Sequence, residues 1–266
     1  RVTEKPRKIL YSILSLGWKG SNWEWLHYTR AYLFFAAFAT PLVLSVHSVV
    51  SWDFAMANLP GWHTTIFAPY FVAGAIFSGL GMVITLTVPI RKIFSLEQYI
   101  TLDNYDGMAK LIIVTSLIVG YAYGVEFFMA WYSSTPAEWG QFYYRATGEY
   151  ALFYWIMIFC NVVSPLPLWF KSVRRNIKAL FIISIFINIG MWFERFNIIV
   201  ISLSRGFDPA SWGIYKVSWV EIGITLGSFA WFFMFFLIFI KTLPAVSIAE
   251  MKEILPVPKK EAKGHE

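Results

Sequence analysis

FAPYFVAGAIFSGLGMVITLTVPI, residues 67–90, carries no charged side chain along its whole length and is followed at once by Arg91 and Lys92. A helix needs about 20 residues to cross roughly 30 Å of hydrocarbon, and this run is long enough. In lipid every backbone N–H and C=O must be satisfied within the protein, so a span is either a helix or part of a closed barrel. No ten-residue alternating pattern of the barrel kind occurs, so the run is read as a transmembrane helix. Five further apolar runs follow the same logic: Tyr32–Val50, Lys110–Trp131, Tyr150–Phe170, Ile177–Leu203 and Val220–Leu243. The fold class expected is an all-α, polytopic integral membrane protein with six transmembrane helices in this chain.

Composition supports that reading and excludes others. Of 266 residues, 58% are hydrophobic and 20% aromatic while only 14% are charged, against roughly a quarter charged in a soluble domain. With a mean hydropathy of +0.57, there is more apolar surface than one core can hide, and lipid must solvate the remainder. The formal charge of +6 is topology rather than nucleic-acid affinity. Of the 22 Lys and Arg residues, 18 fall on one side: in segment 1–30, links 91–110 and 171–178, and the tail from Lys241. Arg145, Arg205 and Lys216 fall on the other, which places both termini in the cytoplasm by the positive-inside rule.

The expected organisation is a cytoplasmic linker over 1–30, a helical bundle over 31–243 and a cytoplasmic tail over 244–266, disordered after Pro256. Within the linker, Ile9–Trp18 has apolar residues at helical spacing and suits a helix lying in the membrane interface. The chain opens at Arg1 on a basic stretch of the kind that joins two spans, and is expected to be the C-terminal part of a longer protein. Pro41, Pro165 and Pro167 are expected to bend the first and fourth spans. The small pairs Gly74/Ser78 and Ala75/Gly79 are expected to allow close helix approach.

Ionisable residues inside spans are costly and therefore informative. His47 lies near the end of the first span with Asp53 just beyond, Glu126 near the end of the third one turn after Tyr123, and Glu194 with Arg195 in the outer half of the fifth. At about 1.5 Å per residue, His47, Glu126 and Glu194 each stand on the order of 25 Å from the cytoplasmic ends of their helices. They are expected to share one polar layer near the outer surface, where His63 of the following loop can join. Glu194 and Arg195 point about 100° apart on a helix and need not pair with each other. Each position also has a bland counterpart: interhelical glue for the histidines, a helix-end carboxylate for Asp53, structural ion pairs for the rest. Ser184, Asn188 and Arg195 form a polar stripe on the fifth span, either adhesive or a partial proton path.

Several chemistries drop out. One cysteine, Cys160, cannot hold an iron–sulfur cluster, and a transmembrane haem needs two facing histidines where only His47 is inside a span. No haem, cluster or other metal is expected. There is no mid-span lysine for a retinal Schiff base, no phosphate-binding glycine motif and no helical zinc motif.

HSVVSWDFA (47–55), PGWHTTIF (60–67), APYFVAG (68–74) and GMWFERF (190–196) together resemble the NrfD/PsrC-type family of polysulfide reductase membrane subunits, most nearly its members in bacterial alternative complex III. The likeness extends over essentially the whole chain. Family members have eight to ten spans in two four-helix bundles, so the resemblance is to a C-terminal part. It implies a quinol-oxidising subunit of the bacterial inner membrane, without its own redox metal, that binds menaquinol or ubiquinol near the periplasmic surface. The implied partners are a periplasmic iron–sulfur subunit that takes the electrons, a homologous NrfD-like membrane subunit, cytochrome c subunits and a terminal oxidase. On that reading Asp53 is the first proton acceptor and His47 bonds the quinol oxygen or carries the second proton. Arg195 holds Asp53 or Glu194 ionised or orients the head group, while Glu126, Tyr123 and His63 serve as relay or quinone contacts. Trp62, Trp212 and Tyr215 in the outer loops suit the docking of an iron–sulfur protein. Two other readings stay open: a structural or proton-conducting sister subunit without quinol turnover, and a secondary transporter.

Overall fold

The computed structural model describes residues 5–62, 64–243 and 246–247. Its described residues contain ten α-helices, short 3-10 and π turns, and no strand. The protein is all-α, and six helical stretches are long and apolar enough to cross a membrane: Asn22–Ala55, Phe67–Ile93, Leu102–Ser133, Ala151–Trp169, Ile177–Ser204 and Trp219–Thr242. The expected tail disorder after Pro256 lies outside the described residues.

Helix ends follow local chemistry more than hydropathy. Helix α1 (Lys5–Leu14) overlaps the Ile9–Trp18 stretch, and the Tyr11 hydroxyl donates to the Thr242 carbonyl at 2.6 Å. Helix α2 (Asn22–Ala55) starts ten residues before its apolar run because Ser21 and Glu24 form a capping box, each side chain satisfying the other's backbone N–H. Pro41 sits within α2 without ending it. Helix α3 (Phe67–Ile93) leads to α4 (Leu102–Ser133), which stops where Ser134 takes a left-handed φ of 53°. Pro136 then opens α5 (Pro136–Thr147), an amphipathic helix in a stretch whose sequence reads only as a loop between spans.

The fourth span is broken. Helix α6 (Ala151–Ile158) widens into a π turn at Phe159–Val163, and Pro165 and Pro167, lacking amide donors, close it with a 3-10 turn at Leu166–Trp169. After α7 (Lys171–Arg174), helix α8 (Ile177–Phe196) passes through a second π turn, Asn197–Ile201, into α9 (Ser202–Ser204). Helix α10 (Trp219–Thr242) starts on a second capping box, Ser218 with Glu221.

Helices α3, α4, α6 and α8 form the buried bundle; α2 packs on the outside of α3, and α10 buries no residue. Two apolar clusters fill it. One, nearer the Lys/Arg-rich end, is built on Phe77, Ile84, Tyr105, Ile112, Leu168 and Ile187. The other, toward the opposite or far end, holds Phe67, Tyr70, Val119, Tyr123, Tyr154 and Met157. The basic end is latched by Arg174, which donates to Asp106 Oδ1 and to the Leu168 and Trp169 carbonyls, each at 2.9 Å. Close approach occurs at other glycines than the Ala75/Gly79 pair: a Cβ on Gly79 would touch nothing within 4 Å, whereas one on Gly81 would lie 2.8 Å from Ile187 Cγ2 and one on Gly190 2.1 Å from Asn161 Oδ1.

Candidate functional site

The site is assembled where the π turn of α6 packs against α8, just ahead of the second π turn. A π turn inserts one residue into a helix and re-aims the side chains beyond it. In α6 this turn directs Asn161 inward, and the bare Gly190 of α8 leaves room for it. Asn161 Nδ2 donates to the Tyr123 hydroxyl at 2.9 Å and reaches Glu194 Oε2 at 3.4 Å, while Ser116 Oγ donates to the Asn161 carbonyl at 2.8 Å. Tyr123 in turn donates to Glu194 Oε2. The Tyr70 ring stands edge-on to Tyr123 with centroids 5.7 Å apart. Glu194 is thus a carboxylate only 1% exposed in the apolar half of a membrane bundle, held by a phenol and an amide. A buried charge survives there only with such donors and a counter-charge. Arg195 supplies the latter. Its Nη1 is 3.6 Å from Glu194 Oε1, so the adjacent pair does associate, though beyond hydrogen-bond length. Its Cζ lies 4.6 Å over the Phe71 ring, which packs against Phe54 of α2 at 5.4 Å.

A second ion pair lies closer to the far end. Glu126 Oε2 is 4.0 Å from Nη1 of Arg145, both side chains being under a tenth exposed. Arg145 comes from α5; its Nη2 donates to Ser202 Oγ at 2.9 Å and its guanidinium lies 4.6 Å over Phe142. Segment 56–62 closes over it. Gly61, at φ +80°, presses so near that an added Cβ would sit 2.9 Å from Arg145 Nη2. That segment is pinned by Gly61 N–H to Glu138 Oε2 at 3.2 Å and by Trp62 Nε1–H to the Ile198 carbonyl at 2.7 Å. The second acceptor belongs to the π turn of α8, and Gln141 Nε2 serves another of its carbonyls, Ile201, at 3.0 Å.

Between the two pairs lies a small cavity of about 20 Å³, bounded by Tyr123, Glu126, Arg145, Glu194 and Asn197 among others. Beyond Glu126 a larger vestibule of about 360 Å³ opens among Gly61, Thr64, Ser133, Glu138 and Phe207. Glu126 lines both. The arrangement can hold protons on two carboxylates, one of which borders both the small cavity and the larger vestibule. Among the described residues no group of three His, Cys, Asp or Glu side chains is gathered to bind a metal ion.

The residues singled out from sequence are thus distributed over two places. Glu126, Tyr123 and Glu194 meet at the cavity, with Arg195 against Glu194. His47 is half-buried, its Nδ1 2.9 Å from the Val43 carbonyl of its own helix, and Asp53 is exposed; neither lines the cavity. Asp53 has no ion pair among the described residues, so within them the partner of Arg195 is Glu194. His63 lies outside the described residues. Of the polar stripe, Ser184 and Asn188 meet Thr85 of α3 at 2.9 and 2.8 Å, a clasp between α3 and α8. Arg145, Asn161, Tyr70 and Gln141 also belong to the site, and the sequence does not single them out. Arg145 reads there only as a loop charge, yet Pro136 followed by Trp139, Phe142 and Tyr143 is an amphipathic helical pattern that signals α5.

The model of the family described as "Polysulphide reductase, NrfD" matches residues 8–205, nearly all of the bundle apart from α10. The chain belongs to this family. The match takes in every element of the site. One relative is a putative membrane subunit of the dimethyl sulfoxide reductase of Halobacterium salinarum, 24% identical over 228 residues. The alignment covers 74% of this chain and 50% of that protein, so the chain spans about half the length of the curated relative it matches. The six apolar helices and the NrfD match together describe a multi-pass membrane protein.

Proposed function

We propose that this NrfD-family chain is the quinol-oxidising membrane subunit of a respiratory complex of the alternative complex III type. It hands electrons to a periplasmic iron–sulfur subunit and releases protons on the periplasmic side, with both termini cytoplasmic in the bacterial inner membrane. The observation that carries this reading is Glu194: a carboxylate 1% exposed, bonded by Tyr123 and Asn161 and set against Arg195, in a helical bundle of the NrfD family. Oxidising a quinol frees two electrons and two protons, and a site for it needs proton acceptors near the hydroxyls with a route to water. The relative's name, a reductase membrane subunit, agrees with a role beside redox partners.

A quinol head group does not fit the small cavity of about 20 Å³. The substrate instead docks against the far end of α2, where Asp53 is exposed and His47 half-buried, and where Phe54 and Phe71 lead to Arg195, whose side chain is 39% exposed. Asp53 accepts the first proton and His47 holds the hydroxyl or takes the second. Arg195 orients the head group and keeps Glu194 ready as a further acceptor. The partner subunits proposed are the iron–sulfur protein, a homologous membrane subunit, cytochrome c subunits and a terminal oxidase. Asp53 and His47 stand apart from the cavity, and this favours the second reading, a proton-conducting sister subunit without quinol turnover.

One assay separates the two. In the purified complex, Asp53→Asn and Glu194→Gln should each lower quinol oxidation, by about 10²–10⁴-fold where the group is a positioned acid or base, with quinone still copurifying. Full turnover of both variants across pH 6–9 would remove the quinol reading and leave the sister-subunit one.

A further inference from the structure

Three buried polar atoms around the small cavity make no hydrogen bond within the protein: Arg145 Nε, Glu194 Oε1 and Asn197 Oδ1. Their residues come from α5, α8 and the π turn that follows it, are each at most 5% exposed, and all line that cavity. The other ends of these side chains are committed. Asn197 Nδ2 donates to Met157 Sδ at 3.3 Å, Arg145 Nη2 to Ser202 at 2.9 Å, and Glu194 Oε2 accepts from Tyr123. Their orientations are therefore fixed. Of the three free atoms one is a donor and two are acceptors. Water, with two protons to give and lone pairs to receive, matches that set. About 20 Å³ is room for one such molecule, and a buried water needs two to four polar partners.

We propose that the cavity binds a structural water that accepts from Arg145 Nε–H and donates to Asn197 Oδ1 and Glu194 Oε1, joining Glu194 to Glu126 as one proton-sharing pair whose outer member also borders the vestibule. Glu126 borders the same cavity and is the residue shared with the open compartment. The transfer balances through the water. When Glu194 is protonated its Oε1–H donates to the water, which frees one water proton to turn from Glu194 to Glu126; the Glu194 proton then passes to the water oxygen as that water proton passes to the Glu126 carboxylate, and the water is restored. Glu194 is then ionised against Arg195, while Glu126 is neutral and can lose its proton to the vestibule. The titratable and charged groups facing the pair are Tyr70 from α3, Tyr123 from α4, Arg145 from α5, Tyr154 from α6 and Arg195 from α8. None of these is a carboxylate, and on the vestibule side Glu138 of α5 stands with Glu126 as the next carboxylate outward. The pair itself stands without quinol; its use as an exit for quinol protons rests on the function proposed above.

The test is infrared difference spectroscopy on the full-length protein in lipid nanodiscs, following the C=O stretch of protonated carboxyl groups during a pH titration in H2O and D2O. If the water joins the two groups, Glu126→Gln shifts the band that remains from Glu194, and Glu194→Gln shifts the band from Glu126. Asn197→Leu, which keeps both carboxylates but fills the water's place, should abolish the mutual shift, and it serves even if a glutamate variant folds poorly. Variant spectra that add up to the wild-type spectrum with no shift overturn the pair. So does an experimental density map showing no water between the three atoms. A complex that oxidises no quinol but shows the mutual shifts removes the function and leaves the pair. One that oxidises quinol with additive spectra removes the pair and leaves the function.

Discussion

Gly190→Ala should be among the most damaging single-methyl changes in this protein, and the size of the effect follows from three distances. The added Cβ would lie 2.1 Å from Asn161 Oδ1, 2.6 Å from Cys160 Cβ and 2.9 Å from Asn161 Cγ. Ordinary carbon contacts begin near 3.5 Å, so α6 and α8 must part by about an ångström or Asn161 must leave Tyr123 and Glu194. Overfilling a packed interior typically costs about 1–3 kcal/mol. In a protein of this size each kcal/mol moves the melting temperature by roughly 2–4 °C, so a fall on the order of 5 °C is expected. The molecule carries its own reporter. Cys160 is its one cysteine and is buried beside the clash. A thiol-reactive dye that fluoresces on conjugation will follow heating of the detergent-solubilised protein and will also reveal any opening at rest. Gly79→Ala is the control: nothing lies within 4 Å of its Cβ, and it should leave the melting temperature unchanged or slightly raised. If Gly190→Ala melts with the wild type and keeps Cys160 shielded, the close packing of the two π-turn helices is not as described.

Trp62→Phe keeps an aromatic side chain but replaces the indole by a smaller phenyl and strips the 2.7 Å bond from the Ile198 carbonyl, an orphaned acceptor costing about 1–3 kcal/mol; faster proteolysis within 56–62 should accompany the lower melting temperature. Arg145→Gln leaves Glu126 with no counter-charge and Ser202 without its donor, and should cost up to about 3–5 kcal/mol, nearer the lower bound because the pair is at 4.0 Å. A Glu126→Gln second change should recover part of that loss in a double-mutant cycle. Arg174→Gln releases Asp106 and two carbonyls at the basic end, and should lower stability by about 1.5–3 kcal/mol, as for hydrogen bonds to a charged group, while leaving proton and redox properties at the far end unchanged.

The six spans were legible because burial in lipid demands a composition, and composition is what a sequence displays directly. Four of the runs lie close to the observed helices, such as Phe67–Ile90 within Phe67–Ile93. The discrepancies arise where something other than hydropathy sets the boundary. Asn22, ten residues ahead of the apolar run, begins α2 because Ser21 and Glu24 can cap each other. Glu126 and Glu194 stand out by their cost: a polar group in a span must have a reason, which is Tyr123 for Glu194 and Arg145 for Glu126. Arg145 and Gln141 bear no such mark, since in a loop between spans a charge is unremarkable. Only the amphipathic turn of α5 brings them under the bundle's end.

The two π turns make facing hard to count along α6 and α8. At a regular 100° per residue, each helix face can be assigned by counting from one buried position. An inserted residue breaks that count, and everything beyond it is rotated relative to the expectation. Such a turn also frees carbonyls that a regular helix would satisfy. Here each has a donor from another element: Ser116 of α4 for Asn161, Trp62 for Ile198 and Gln141 of α5 for Ile201. Those same elements deliver Tyr123, Gly61 and Arg145 to the site. The contacts that make the irregular backbone tolerable in a membrane are therefore the contacts that assemble the two carboxylate–guanidinium pairs. A helix of regular register over 197–201 would carry Ser202 off Arg145 and remove the carbonyls that hold Trp62 and Gln141, with no change in hydropathy to betray it.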